Sequence, residues 1–86
     1  MDNATIAHEL LRQARELAAA GDNLYRVRAF RRAAAVLFGL DRPVSAIVAE
    51  RGVRGLTTLP GVGASLAKTI AGLAAQAPQR VEARAG

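Results

Sequence analysis

Eighty-six residues allow one domain, because a chain of this length buries only roughly 60 to 65% of the surface its unfolded form exposes and has no room for a second core. Cysteine is absent, and the apolar half of the composition (51%) is dominated by Ala and Leu with only two Phe and one Tyr; disulfide scaffolds and thiolate metal sites are excluded, and closely packed helices, an all-α fold, are favoured. The net charge of +5 is unevenly placed, with four acids against two bases over residues 1–22, three acids against ten bases over residues 23–86, and no acid between Arg51 and Val81, a distribution that points to a polyanionic partner.

A first helix is predicted from about Thr5 to Ala20, with Asn3 or Thr5 as N-cap, Gly21 as its stop, and Ile6, Leu10, Ala14 and Leu17 on its inner face. Gly21-Asp22-Asn23 is a turn in which Asp22 or Asn23 caps a second helix from Leu24 to Phe38, ended by Gly39. At 100° per residue, Val27, Phe30, Ala34, Leu37 and Phe38 fall in one arc of about 100°, and Arg28, Arg31 and Arg32 are read as a separate basic face. Arg26 lies at the edge of the apolar stripe in the first turn, where the helix dipole disfavours a cation unless an anion is nearby.

Pro43 suits the first position of a short third helix, capped by Asp41 or Arg42 and reaching Glu50 or Arg51, with Val44, Ile47 and Val48 inward and Gly52 as the stop. Leu56-Thr57-Thr58-Leu59 reads as one tight turn. A last helix runs from about Gly63 to Gln76, with Leu66, Ile70 and Leu73 on its inner face. The expectation is a compact four-helix domain over residues 3–76, followed by a frayed tail or the start of a linker over 77–86. No basic leader precedes an apolar stretch, and the longest apolar run, Ala33–Leu40, is far shorter than the roughly 20 residues a membrane span needs.

The chemistry concentrates in Leu59-Pro60-Gly61-Val62-Gly63. Two glycines permit positive φ, Pro60 fixes the entry, and Val62 can drop between the flanking helices. The backbone amides of Gly61, Val62, Gly63, Ala64 and Ser65, at a helix N-terminus carrying about +0.5 charge, form an anion site suited to a DNA phosphate and indifferent to base sequence. This is a helix-hairpin-helix reading. A nucleotide-binding P-loop is the competing one, since Lys68-Thr69 follows the turn. Its spacing fails: Val62 and Ala67 occupy the two positions that require glycine.

The blocks Gly21-Asp22-Asn23-Leu24-Tyr25-Arg26-Val27-Arg28-Ala29-Phe30-Arg31-Arg32-Ala33-Ala34 and Leu56-Thr57-Thr58-Leu59-Pro60-Gly61-Val62-Gly63 together resemble the small N-terminal domain of family X DNA polymerases (DNA polymerase beta-like), the bacterial members most. The likeness covers about residues 3 to 76. It implies a four-helix unit that holds gapped DNA, often by a downstream 5′-phosphate. It implies that Arg26 is a basic residue of the 5′-phosphate pocket, Phe30 a pocket aromatic, and Tyr25 a residue that stacks on a base. It further implies a sodium or potassium ion bound by the main-chain carbonyls of Thr57, Leu59 and Val62 and bridging to a phosphate.

Eukaryotic relatives use this domain as a 5′-deoxyribose-phosphate lyase, which demands a lysine amine for Schiff-base formation. The matching position here is Thr69, the supporting lysine is replaced by Ser65, and the sole lysine, Lys68, points about 100° away around the helix. The expectation is a non-enzymatic, cytoplasmic and nucleoid-associated DNA-binding module for DNA repair. It grips gapped or single-stranded DNA through the hairpin residues with Tyr25, Arg26, Arg28 and Lys68, needs no cofactor, and is linked to a polymerase or phosphoesterase domain. A lyase and a helical protein-docking domain are the alternatives. His8, with no second ligand nearby, reads as a surface histidine.

Overall fold

In the computed structural model, which describes residues 2–76, α1 runs Asn3–Ala19, α2 Leu24–Phe38, α3 Val44–Arg51 and α4 Ala64–Ala75, with a 3₁₀ helix, Val53–Thr58, between α3 and α4. The fold is all-α. The expected tail, residues 77–86, lies outside the described residues. Asp2, not Asn3 or Thr5, caps α1, its side chain accepting the Thr5 N–H at 2.8 Å. The helix ends at Ala19 with Ala20 as its C-cap, and Gly21, the expected stop, follows at φ 75°. The Gly21 N–H donates to the Ala18 carbonyl and the Asp22 N–H to that of Leu17, at 3.1 and 2.9 Å, which satisfies carbonyls that a helix end otherwise strands. Asn23 then caps α2 through its side chain and the Tyr25 N–H at 2.7 Å.

The third helix departs from expectation in its start. Pro43 is the N-cap and not the first helical residue, and neither Asp41 nor Arg42 caps the helix. The acceptor is instead the distant Asn3, whose Oδ1 takes the Val44 N–H at 2.9 Å while its Nδ2 donates to the Arg42 carbonyl at 2.7 Å. Proline has no N–H and no side-chain acceptor, so the orphan donor after it is met from outside the helix. The tight turn expected at Leu56–Leu59 is the end of the longer 3₁₀ helix. That helix lies against α3 closely enough that a Cβ at Gly55 would come within 2.6 Å of Arg51 Cβ.

The core joins all the elements. Ile6 and Leu10 of α1, Val27 and Leu37 of α2, Val44 of α3, Leu56 of the 3₁₀ helix and Ile70 of α4 are its largest fully buried side chains, and Ala7, Ala14, Ala33, Ala34 and Ala67 are buried among them. Alanines at these positions let helix axes approach closely. Phe38, expected inside, is 49% exposed, and Ala33 takes its place in the core. The buried arc of α2 is rotated by about 30° from the expected one, towards Ala33 and away from Phe38. Phe38 instead sets its ring edge-on to His8, with centroids 5.1 Å apart. Leu17 and Val48, also expected inside, are half-buried at its margin.

Candidate nucleic-acid interface

Leu59-Pro60-Gly61-Val62 forms a tight turn closed by the Val62 N–H donating to the Leu59 carbonyl at 3.1 Å. Pro60 supplies the fixed φ of the second position and Gly61, at φ 75°, the positive φ of the third, the division of labour of a type II turn. Val62 is buried in the core and so anchors the turn, as its sequence position implies. With its N–H engaged, the amides of Gly61, Gly63, Ala64 and Ser65, and that of the buried Leu66 behind them, donate to no acceptor among the described residues. Gly61, Gly63, Ala64 and Ser65 are exposed. Gly63 is the N-cap of α4 at φ −90° and ψ −175°, and no side chain caps the helix. Donors without a protein acceptor, a helix dipole and solvent access are the features an anion site requires.

The face of α2 that meets the turn is basic. Tyr25, Arg28, Ala29 and Arg32, at positions i, i+3, i+4 and i+7, form one stripe beside Gly61. A groove on one side of the stripe is lined by Tyr25, Arg26 and Phe30 of α2 with Gly61, Gly63 and Ser65 across from them. A second groove is lined by Tyr25, Arg28, Ala29, Arg32 and Gly61. Tyr25, 80% exposed, lines both grooves, as do Ala29 and Gly61. Phe30 is both core residue and groove lining, with only 8% exposure.

Electrostatics favour an anion here. Among the described residues the ion pairs are Arg12 with Glu9 and Glu16, and Arg42 with Glu50 at 2.9 Å. The acids of α1 and α3 are thus engaged by arginines, the Arg12–Glu16 pair on the side of Arg26 and Phe30 where these line a pocket with α1. Arg26, Arg28, Arg31, Arg32, Arg51, Arg54 and Lys68 have no ion-pair partner among the described residues, which leaves their field uncancelled.

The structure separates residues that the sequence groups. Arg28 and Arg32 line a groove at the hairpin, while Arg31, one step round the helix, does not. The sequence places Arg32 only in a basic face, yet its stem lies over the turn: a Cβ on Gly61 would meet Arg32 Cδ at 2.8 Å. The i, i+3, i+4, i+7 spacing from Tyr25 is the signal that could have found it. On α4, Ser65 lines the first groove, Lys68 is exposed, and the Thr69 hydroxyl donates back to the Ser65 carbonyl at 3.2 Å.

The carbonyls of Thr57 and Val62 accept no backbone N–H among the described residues, and that of Leu59 accepts one. For Thr57 the cause is local, since Pro60, three residues on, has no N–H to give. No cluster of three His, Cys, Asp or Glu occurs among the described residues. No described helix is long and apolar enough to cross a membrane.

A family model described as helix-hairpin-helix domain matches residues 1–77. The chain belongs to the helix-hairpin-helix domain family. Such domains generally bind DNA, and this helix-hairpin-helix domain places its hairpin beside three arginines without ion-pair partners among the described residues, Arg26, Arg28 and Arg32. No curated protein and no solved structure matches it.

Proposed function

We propose that this helix-hairpin-helix domain is a sequence-independent module that grips backbone or 5′-phosphates of gapped or single-stranded DNA, serving DNA repair within a family X polymerase-like protein. The observation that carries the reading is the groove lined by Arg26 together with Gly61, Gly63 and Ser65, whose amides donate to no acceptor among the described residues. Backbone donors and a guanidinium converging on one open groove recognise a phosphate and ignore the base. A terminal phosphate monoester, with more charge than a diester, gains most from it. Tyr25 stands beside the groove with its ring in solvent, placed to stack on an unpaired base, and Arg28 and Lys68 add phosphate contacts.

The carbonyls of Thr57, Leu59 and Val62 fit a sodium or potassium ion: hard oxygen donors, two of them without a backbone partner. Such an ion, when bound, supplies a positive charge that bridges the hairpin to a phosphate. Reaction chemistry belongs in this reading to a linked polymerase or phosphoesterase domain, because Thr69 and Ser65 offer hydroxyls where a Schiff base needs an amine.

The test is a titration of one-nucleotide-gapped DNA, with and without the downstream 5′-phosphate, against the wild type and Gly63→Asp at two salt concentrations. Gly63 has an ordinary φ and open space where a Cβ would stand, and aspartate is a favoured N-cap. The variant therefore keeps or slightly raises stability while placing a carboxylate where the phosphate binds. Affinity that falls with salt, rises with the 5′-phosphate and drops about tenfold or more in Gly63→Asp, roughly 1.4 kcal/mol, upholds the reading. Equal, salt-insensitive binding by both proteins makes the hairpin a structural turn and favours a protein-docking role.

A further inference from the structure

The second groove at the hairpin is not needed to hold the phosphate that faces Arg26, and its composition asks for a ligand of its own. Arg28 and Arg32 stand one helical turn apart on one face of α2, both exposed, and neither has an ion-pair partner among the described residues. Like charges at this spacing repel. A shared anion converts the repulsion into attraction, and two guanidinium forks offer enough donors to surround one.

The stem of Arg32 also lies over the turn. It crosses Gly61 so closely that a Cβ there would come within 2.8 Å of Cδ and 3.4 Å of Cγ. A long side chain resting on the turn has lost part of its rotamer freedom before any ligand arrives, which lowers the entropy cost of binding. The glycine that gives the turn its positive φ thus also seats the arginine that flanks it.

We infer that the groove formed by Tyr25, Arg28, Arg32 and Gly61 is a second phosphate site, taking an internal phosphodiester of the strand whose end or neighbouring phosphate lies at the hairpin amides. The inference rests on the DNA-binding function proposed for the hairpin. What favours a nucleic-acid strand over another polyanion is the aromatic residue that the two grooves share, beside Ala29 and Gly61. Tyr25 belongs to both and is 80% exposed, so a strand passing from one groove to the other crosses an aromatic face on which a base can stack. The two grooves then divide the strand between them. The Arg26 side reads the terminal phosphate, and the Arg32 side holds the nucleotides that lead to it.

The experiment measures the affinity of the full chain for one single-stranded oligonucleotide, with and without a 5′-phosphate, across a salt series. The proteins are wild type, Arg32→Met, Arg32→Lys and Arg26→Met, with thermal melts to confirm folding. Methionine keeps an apolar stem over Gly61 and removes the charge. Arg32→Met is expected to flatten the slope of log affinity against log salt by about 0.7, one single-strand phosphate contact, while leaving the gain from the 5′-phosphate intact; Arg32→Lys restores the slope. Arg26→Met is expected to remove that gain. A wild-type slope in Arg32→Met, with the wild type itself salt-dependent, overturns the second site alone and leaves Arg32 a packing residue. Loss of the 5′-phosphate gain in Arg32→Met also overturns it, because the grooves then act as one. A wild type that binds without salt dependence overturns the DNA-binding reading and the second site with it.

Discussion

Asn3 and Val44 lie 41 residues apart in the chain and are joined by a hydrogen bond of 2.9 Å that ties the first turn of α1 to the first turn of α3. With its amide nitrogen, Asn3 also holds the Arg42 carbonyl, so one side chain fixes both partners of the backbone on either side of Pro43. Asn3→Ala leaves the Val44 N–H without an acceptor and is expected to cost about 1 kcal/mol, a fall in Tm of roughly 4 to 8 °C for a domain of this size. Asn3→Asp keeps the acceptor and loses the donor, so its melting temperature should fall between the two. A melt of Asn3→Ala that coincides with wild type would show the contact to be unimportant.

Gly61 and Gly63 occupy one motif and should respond differently to substitution. Gly61→Ala forces a Cβ into a positive-φ conformation and against Arg32 and is expected to lose about 1 to 2 kcal/mol. Removing the stem first, with Arg32→Ala, should reduce that loss by several tenths of a kcal/mol in a double-mutant cycle. An unchanged loss would assign the whole effect to backbone strain.

Acid should weaken the fold through α1. Hydrogen bonding from the Thr5 side chain and backbone N–H holds the Asp2 carboxyl below its ordinary value of 3.8, and the Arg12 hydrogen bond holds Glu9 below 4.5. Both groups bind protons more readily unfolded than folded. Their contribution is therefore complete above those ordinary values and is lost as pH falls through them towards the lower folded values. Urea unfolding at a series of pH values checks this: Asp2→Asn and Glu9→Gln should each show a shallower loss of stability below pH 4.5 than wild type.

The domain should leave 5′-deoxyribose phosphate intact. Borohydride trapping on a substrate carrying that group is expected to give no adduct above background, because Thr69 spends its hydroxyl on the Ser65 carbonyl and neither residue has an amine. A strong adduct abolished by Lys68→Met would establish lyase chemistry through the one lysine of the chain.

Much of this arrangement is local and so can be read from the chain. Gly21, Gly39 and Gly52 end their helices where apolar periodicity stops, and Pro60-Gly61 marks the hairpin because few other dipeptides satisfy its dihedral angles. What escapes is what depends on packing. The capping of α3 by Asn3 needs α1 beside it, and no local pattern announces a cap from so far away. Phe38 leaves the core because α2 turns to bury Ala33, a choice set by how closely its neighbours approach. Arg32 is hidden in a run of arginines until the hairpin is placed over it, and only then do Arg28 and Arg32 separate from Arg31.

The bare start of α4 carries a consequence for the stability of the whole. Gly63 offers the helix no cap, and five amides at or beside its first turn have no protein acceptor among the described residues. An anion seated there finishes the helix as an aspartate would, so the ligand becomes part of the fold it binds to. Stability and occupancy are then two measures of one equilibrium. The melting temperature should climb with the logarithm of ligand concentration once that exceeds Kd, and the amides of Ala64 and Ser65 should exchange their hydrogens more slowly in step with it.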